Sequence, residues 1–218
     1  SSNKMFRLLQ GDVGSGKTIV SLLAALNTIN SGFQVALMAP TEILARQHFN
    51  LAKKIFPTNI NLELISGKSE YRMKREILKN VENNKVDIIF GTHAIFQKKV
   101  LFNKLGLIII DEQHKFGVNQ RKKLSDKGGP DCDVLLMTAT PIPRTLTMTI
   151  YGDMDISIIR EKPKNRKPIK TYSKLETKIE DVLKFIRKEI NLGNQIFWVC
   201  PLIEESKKLD HSSAVKKY

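Results

Sequence analysis

Eight consecutive residues, Gly11-Asp12-Val13-Gly14-Ser15-Gly16-Lys17-Thr18, constrain this chain more than any other stretch. They fit the spacing G-x-x-x-x-G-K-[ST] without a gap, the pattern of a loop that cradles phosphates. A triphosphate carries dense negative charge that backbone N–H groups wrap more closely than side chains. Glycines at 11, 14 and 16 permit the positive φ and close approach that such wrapping needs. In this loop type the lysine, here Lys17, lies between the β- and γ-phosphates, and the Thr18 hydroxyl is placed to ligate Mg²⁺. A glycine-rich turn with no ligand has a similar composition, so the flanks decide. Residues 5–10 form a short apolar run of strand type. Residues 19–29 are rich in Leu and Ala, and Gly32 stands where a helix would end. Strand, glycine loop and helix form the setting in which ATP and Mg²⁺ bind against a helix N-terminus.

Further along, apolar runs alternate with helical patterns, which predicts a parallel sheet built from βαβ units with helices on both faces. Strands are expected at 35–39, 62–65, 86–91, 107–110 and 134–137. Helices are expected at 42–56 and 70–81, the second strongly basic through Arg72, Lys74, Arg75 and Lys79. That basic face suits either solvent or a DNA groove. The expected fold class is α/β, a phosphate-loop NTPase domain over residues 1–160. Residues 161–168, basic and bracketed by prolines, read as a linker. Beyond it, 169–218 read as the incomplete start of a second domain, about half the length a covered sheet needs. Strands are expected there at 169–172 and 195–199. Thr177-Lys178-Ile179-Glu180 has the spacing of a capping box opening a helix, and a further helix is expected to start at 204. Phe185 and Trp198 are expected in its core.

No apolar run approaches the roughly 20 residues that span a bilayer, and no signal-peptide pattern opens the chain. A cytoplasmic protein with no membrane partner is expected. Cys132 and Cys200 stand far apart, which predicts reduced thiols and no zinc site. The formal charge of +14 over 218 residues fits a polyanionic partner, since Lys and Arg that neutralise phosphates gain counterion-release free energy. A biased base composition would produce the same excess.

A phosphate loop needs an acidic partner. Asp111-Glu112 follows the aliphatic run Leu107-Ile108-Ile109-Ile110. The C-terminal edge of an open parallel sheet carries the ligand site, so this placement aims both acids at the crest that holds the glycine loop. Asp111 is assigned to Mg²⁺ and Glu112 to the attacking water.

Asp111-Glu112-Gln113-His114 resembles the D-E-x-H motif of superfamily 2 helicases, and Thr138-Ala139-Thr140 resembles their third motif. Ala39-Pro40-Thr41-Glu42-Ile43-Leu44-Ala45 and Gly91-Thr92-His93 resemble their motifs Ia and Ib. The segments 39–45, 111–118 and 138–146 are similar to the RecG family of branch-migrating DNA helicases, as are 166–169 and 199–206. The transcription-repair coupling factors share part of this pattern. Gln113 and Glu42 favour the RecG family, while Lys115 and Asn165 depart from its usual residues.

The resemblance implies an ATP-dependent helicase or translocase acting on branched or forked DNA. It places Gln113 and His114 with the catalytic acids, and Thr138, Thr140 and Arg144 in coupling hydrolysis to movement. It assigns Thr41, Arg46, Thr92 and His93 to the DNA backbone. Apart from it, His114 reads as a polar strand end and Thr138 and Thr140 as β-branched strand residues. His48 and His211 receive no role. The resemblance also implies that residues 1–160 are a RecA-like domain and 169–218 the start of a second RecA-like domain, whose arginines, expected after Tyr218, complete the cleft. The 218 residues are thus expected to be the middle of a larger protein, binding ATP but turning it over poorly alone. The alternatives are a non-catalytic nucleotide- or DNA-binding remnant that keeps the fold and its basic surface, and a fragment of a transcription-repair coupling factor.

Overall fold

A computed structural model describes residues 4–67, 71–97, 100–112, 129, 132–140, 154–161 and 169–199. The chain divides into two compact units, Ser1–Arg166 and Lys167–Tyr218.

The first unit is built in the order β1 (Phe6–Gly11), α1 (Lys17–Asn30), β2 (Gln34–Met38), α2 (Glu42–Ile55), β3 (Leu62–Ile65), α3 (Tyr71–Glu82), β4 (Ile88–Gly91), β5 (Leu105–Ile110), β6 (Asp133–Thr138) and β7 (Asp155–Ile159). A single-turn 3-10 helix, His93–Phe96, follows β4. The seven strands form one sheet in the order β3-β4-β2-β5-β6-β1-β7, and every pairing is parallel.

Period-two alternation divides the core. On one face Ala36, Met38, Ile89, Ile108, Ile110, Val134 and Leu136 pack with Ile77 and Val81 of α3. On the other, Val35, Leu37, Ile88, Phe90, Leu107, Ile109 and Leu135 pack with Leu22 and Ala25 of α1, Ala52 of α2 and Phe56 just after it. Strands buried on both faces must be apolar at every position, which is why β2 and β5 read as nearly continuous aliphatic runs.

Gln34 opens the otherwise apolar β2 and is 2% exposed. Its amide satisfies four backbone groups. Nε2 donates to Val81 O at 2.9 Å and Val86 O at 2.8 Å, and Oε1 accepts from Asn103 N at 2.9 Å and Lys104 N at 3.2 Å. A side-chain amide has two donors and two acceptor positions, and here all four are used.

The expected strands and helices of this unit are present, with ends shifted by up to two residues. One strand was not anticipated. β7 pairs with β1 through Arg7↔Asp155 to Gly11↔Ile159, and Arg7 joins it by an ion pair to Asp155 at 3.0 Å and a bond to Ser157 Oγ at 2.8 Å. Its short run Asp-Ile-Ser-Ile-Ile sits at the sheet edge, half exposed, and such a run carries little hydrophobic signal.

The second unit departs from expectation. A 3-10 turn, Glu176–Lys178, leads into α4 (Ile179–Asn191). The helix begins after Lys178 with no side-chain cap, so the capping box at Thr177 does not form. Residues 169–172 and 195–199 carry no strand. Extended runs become strands only when a neighbour pairs with them, and none does among the described residues. Phe185 and Trp198 are exposed, at 59% and 43%, rather than core. No described residue of this unit is buried. The expected helix start at 204, most of the linker, Cys200, His211, Gln113, His114, Lys115 and Arg144 lie outside the described residues.

Candidate nucleotide site and its neighbours on the sheet edge

Because all seven strands are parallel, every loop that follows a strand emerges on one edge. Across the sheet that edge carries Thr92 and His93 after β4, Thr41 after β2, Asp111 after β5, Thr138 and Thr140 at the end of β6, and the glycine loop after β1. One strand, β6, separates β5 from β1. At the usual 4.7–4.9 Å strand spacing, the two strand ends stand about 10 Å apart.

The glycine loop is a built anion cradle. Gly14 has φ +80° and Gly16 φ +95°, the left-handed region that side chains avoid. Ser15 N donates to Asp12 O at 3.1 Å, and Val13 N to Asp12 Oδ1 at 2.8 Å, which close the turn. Gly11 needs its hydrogen for a different reason. A Cβ there would lie 2.5 Å from Ser15 Oγ and 3.1 Å from Ile159 Cβ. Ser15 Oγ itself is buried without a hydrogen-bond partner.

α1 starts from Gly16 with no side-chain cap and no acid in its first turn. Its first N–H groups and the positive end of its dipole are therefore left for an external anion. Lys17 Nζ donates to the loop's own carbonyls, Gly11 O at 2.6 Å and Asp12 O at 2.9 Å. Thr18 stands in the first turn of α1, half-buried, and its carbonyl accepts from Ser21 Oγ at 2.8 Å.

Asp111 is anchored from the β2–α2 segment. Its N–H donates to Met38 O at 2.8 Å, and its Oδ2 lies 2.7 Å from His48 Nε2. Both residues are buried. Glu112 follows with φ +50°, a conformation uncommon outside glycine. Sequence reasoning left His48 without a role. Its place on the inward face of α2, with Ala45 and Ala52, was a legible signal for burial, and a buried histidine needs a polar partner.

Thr138 and Thr140 bond to each other, Oγ1 to Oγ1 at 2.8 Å, and Thr138 Oγ1 also accepts Thr140 N at 3.2 Å. Gln10 Nε2, at the base of the glycine loop, donates to Thr140 O at 3.3 Å. The end of β6 is thereby tied to the strand that carries the loop.

The four expected DNA-contact residues follow two neighbouring strands: Thr41 caps α2, Arg46 lies within α2, and Thr92 and His93 open the 3-10 helix after β4. The two strand ends are joined by Ala39 N donating to Gly91 O at 2.9 Å. Thr41 is the N-cap of α2, its hydroxyl accepting Leu44 N at 3.3 Å, so part of its acceptor capacity serves the helix. Arg46 and His93 are exposed and Thr92 is half-buried. Glu42 accepts from Ser66 Oγ at 3.3 Å and from Gly67 N, joining α2 to the loop after β3. Arg46 also lines a cleft of about 550 Å³ with Glu63 and Glu76. Burial, then the neighbouring Glu76, push the Glu63 carboxyl above the usual range, against a backbone bond from Leu64 that lowers it.

Residues 2–149 match the DEAD/DEAH box helicase family. The ATP-dependent DNA helicase RecG of Streptococcus pneumoniae is 51% identical over 215 residues, covering 99% of this chain and 32% of that protein. RecG of Bacillus subtilis is 48% identical over 219 residues, covering 100% and 32%. A structure of RecG bound to a three-way DNA junction aligns with a TM-score of 0.73 at 41% identity, over 89% of this chain and 26% of that one. A DEAD box protein from Methanococcus jannaschii shares the fold, with a TM-score of 0.56 at 21% identity over 71% and 46%. The chain spans about a third of the length of the curated relatives it matches.

Proposed function

The chain belongs to the DEAD/DEAH box helicase family, and on that premise we propose that it is the ATP-binding part of a RecG-type helicase that remodels branched or forked DNA. The carrying observation is the uncapped N-terminus of α1 beside Lys17, on the same sheet edge as Asp111. Residues 11–18 receive the triphosphate. The first N–H groups of α1 satisfy phosphate oxygens, and Lys17 exchanges its bonds to Gly11 O and Asp12 O for the β- and γ-phosphates. The helix N–H groups thereby gain charge-assisted bonds, and Lys17 exchanges neutral carbonyl acceptors for anionic ones.

The donor set fits Mg²⁺, which takes one or two protein oxygens and completes its shell with phosphates and water. Thr18 and Asp111 hold it here. When bound, the metal neutralises charge between the β- and γ-phosphates. Glu112 orients the attacking water. Thr138 and Thr140, linked to the loop strand through Gln10, carry nucleotide state toward Thr41, Arg46, Thr92 and His93. Those four residues meet phosphates and so position the strand without reading its sequence. Gln113, His114 and Arg144 take the catalytic and coupling parts their family motifs imply, and the rest of the helicase supplies the second wall of the cleft. Work on chromosomal DNA fits a cytoplasmic protein. Among the described residues no helix is long and apolar enough to cross a membrane.

The test pairs nucleotide binding with turnover. The 218 residues should bind a fluorescent ATP analogue, and Lys17→Ala should abolish that binding while leaving the thermal melt within a few degrees. The full-length protein should hydrolyse ATP faster when forked DNA is added. Undiminished binding by the Lys17→Ala variant would refute the site, and turnover indifferent to forked DNA would refute the substrate class.

A further inference from the structure

We propose that His48 is a positioning residue for the Asp111 carboxylate, fixing the oxygen that faces Mg²⁺; this rests on the nucleotide-site reading above. The ring lies on the inward face of α2, 7% exposed, and Asp111 is 9% exposed. Their 2.7 Å separation is a short, well-formed hydrogen bond. An ionised carboxylate only accepts, so against the metal-binding form of Asp111 the imidazole Nε2–H is the donor.

An aspartate at a strand end has two soft torsions, and each must be fixed before its free oxygen can meet a metal at a set place. The backbone is held by the bond from Asp111 N to Met38 O at 2.8 Å, and the side chain by His48. Both restraints come from the β2–α2 segment. Oδ2 is occupied by the ring, which leaves Oδ1 as the oxygen for the metal. Outer partners of a ligating carboxylate set its direction and basicity, and losing one costs roughly 10–100-fold in metal affinity. His48 itself does not touch nucleotide or metal in this arrangement.

The experiment titrates Mg²⁺ against binding of a fluorescent ATP analogue to the full chain and to His48→Ala, His48→Asn and His48→Gln. Alanine removes the donor, and asparagine is too short to reach Oδ2. Both should raise the Mg²⁺ concentration for half-maximal binding by about 10–100-fold, while affinity measured in EDTA stays at the wild-type value. Glutamine, whose amide reaches about as far as Nε2, should restore most of the loss. Asp111→Asn should show the same weakened Mg²⁺ dependence, and adding His48→Ala to it should change nothing further.

An unchanged Mg²⁺ midpoint in a folded alanine or asparagine variant overturns the proposal. So does an equal loss of binding in EDTA, which would make His48 a packing residue. Wild-type binding that ignores Mg²⁺ would instead overturn the underlying site reading, and the proposal with it. Should alanine fail to fold, the asparagine–glutamine pair decides.

Discussion

Replacing Gln34 with leucine should destabilise the first unit by about 1.5–5 kcal/mol, a range that follows from the separate fates of its four partners. Val86 O belongs to a residue 3% exposed, and an orphaned buried carbonyl costs about 1–3 kcal/mol. Val81 O keeps a second donor, Asn84 N at 3.2 Å, so it loses only one bond. Asn103 and Lys104 are exposed, and their N–H groups turn to water. These three lost bonds cost roughly 0.5–1 kcal/mol each. Leucine buries more apolar surface than glutamine, which offsets about 1 kcal/mol. For a domain of this size, at about 2–4 °C per kcal/mol, the net loss lowers the melting temperature by about 3–20 °C. Urea unfolding followed by far-UV circular dichroism measures it, with the slope unchanged if only the folded state is affected. Gln34→Glu supplies the control. It keeps both acceptor bonds but cannot donate, so it faces two carbonyls with a buried charge and should be worse than leucine. A leucine variant within about 0.5 kcal/mol of wild type would refute the reasoning, because that is the scatter of ordinary surface substitutions.

Other outcomes follow from single contacts. Gly11→Ala places a methyl 2.5 Å from Ser15 Oγ and 3.1 Å from Ile159 Cβ, so it should cost about 1–3 kcal/mol of overpacking and weaken nucleotide binding, read by thermal melts and a titration on one sample. The Cys132 thiol is pushed up to about 11, chiefly by burial; at pH 8 its thiolate fraction is about one in a thousand. Peptide mass spectrometry after brief alkylation should find it unmodified until the protein is unfolded. Glu63, whose carboxyl is raised above its ordinary 4.5, favours the folded state when protonated. Its contribution is full below the unfolded value and is lost as pH rises through the raised folded value. Glu63→Gln should therefore raise the urea midpoint at pH 7 and leave it near wild type at pH 4; a larger gain at pH 4 would contradict the sign.

Most of the first unit is legible in the sequence because its signals are local and redundant. A glycine loop between an apolar run and a Leu/Ala helix admits few structures, and aliphatic strands such as Leu105–Ile110 announce burial on both faces. Parallel connectivity then fixes which edge bears the loops. The places of Lys17, Thr18, Asp111, Thr41 and Thr92 on that edge follow from their offsets to strand ends. The exceptions are pairings between distant segments. β7 exists because Arg7, Leu8 and their neighbours offer an open edge to Asp155–Ile159, and five half-exposed residues do not declare that. Thr177 and Glu180 have the spacing of a capping box, but spacing does not decide which residue leaves helical φ and ψ, and α4 starts after Lys178. Ile169 and Phe197 have strand-forming neighbours in sequence, yet among the described residues of this unit no strand forms.

The sequence alone therefore determined the sheet, its loaded edge and the chemistry of the glycine loop, since hydrophobic period and glycine spacing act within a few residues. The tertiary structure alone decided that His48, 63 residues from Asp111 in the chain, holds its carboxylate. It also decided that Gln34 closes four distant backbone groups. Polar partners in a core are chosen by which unsatisfied group the fold brings within 3 Å, and no periodicity encodes that distance.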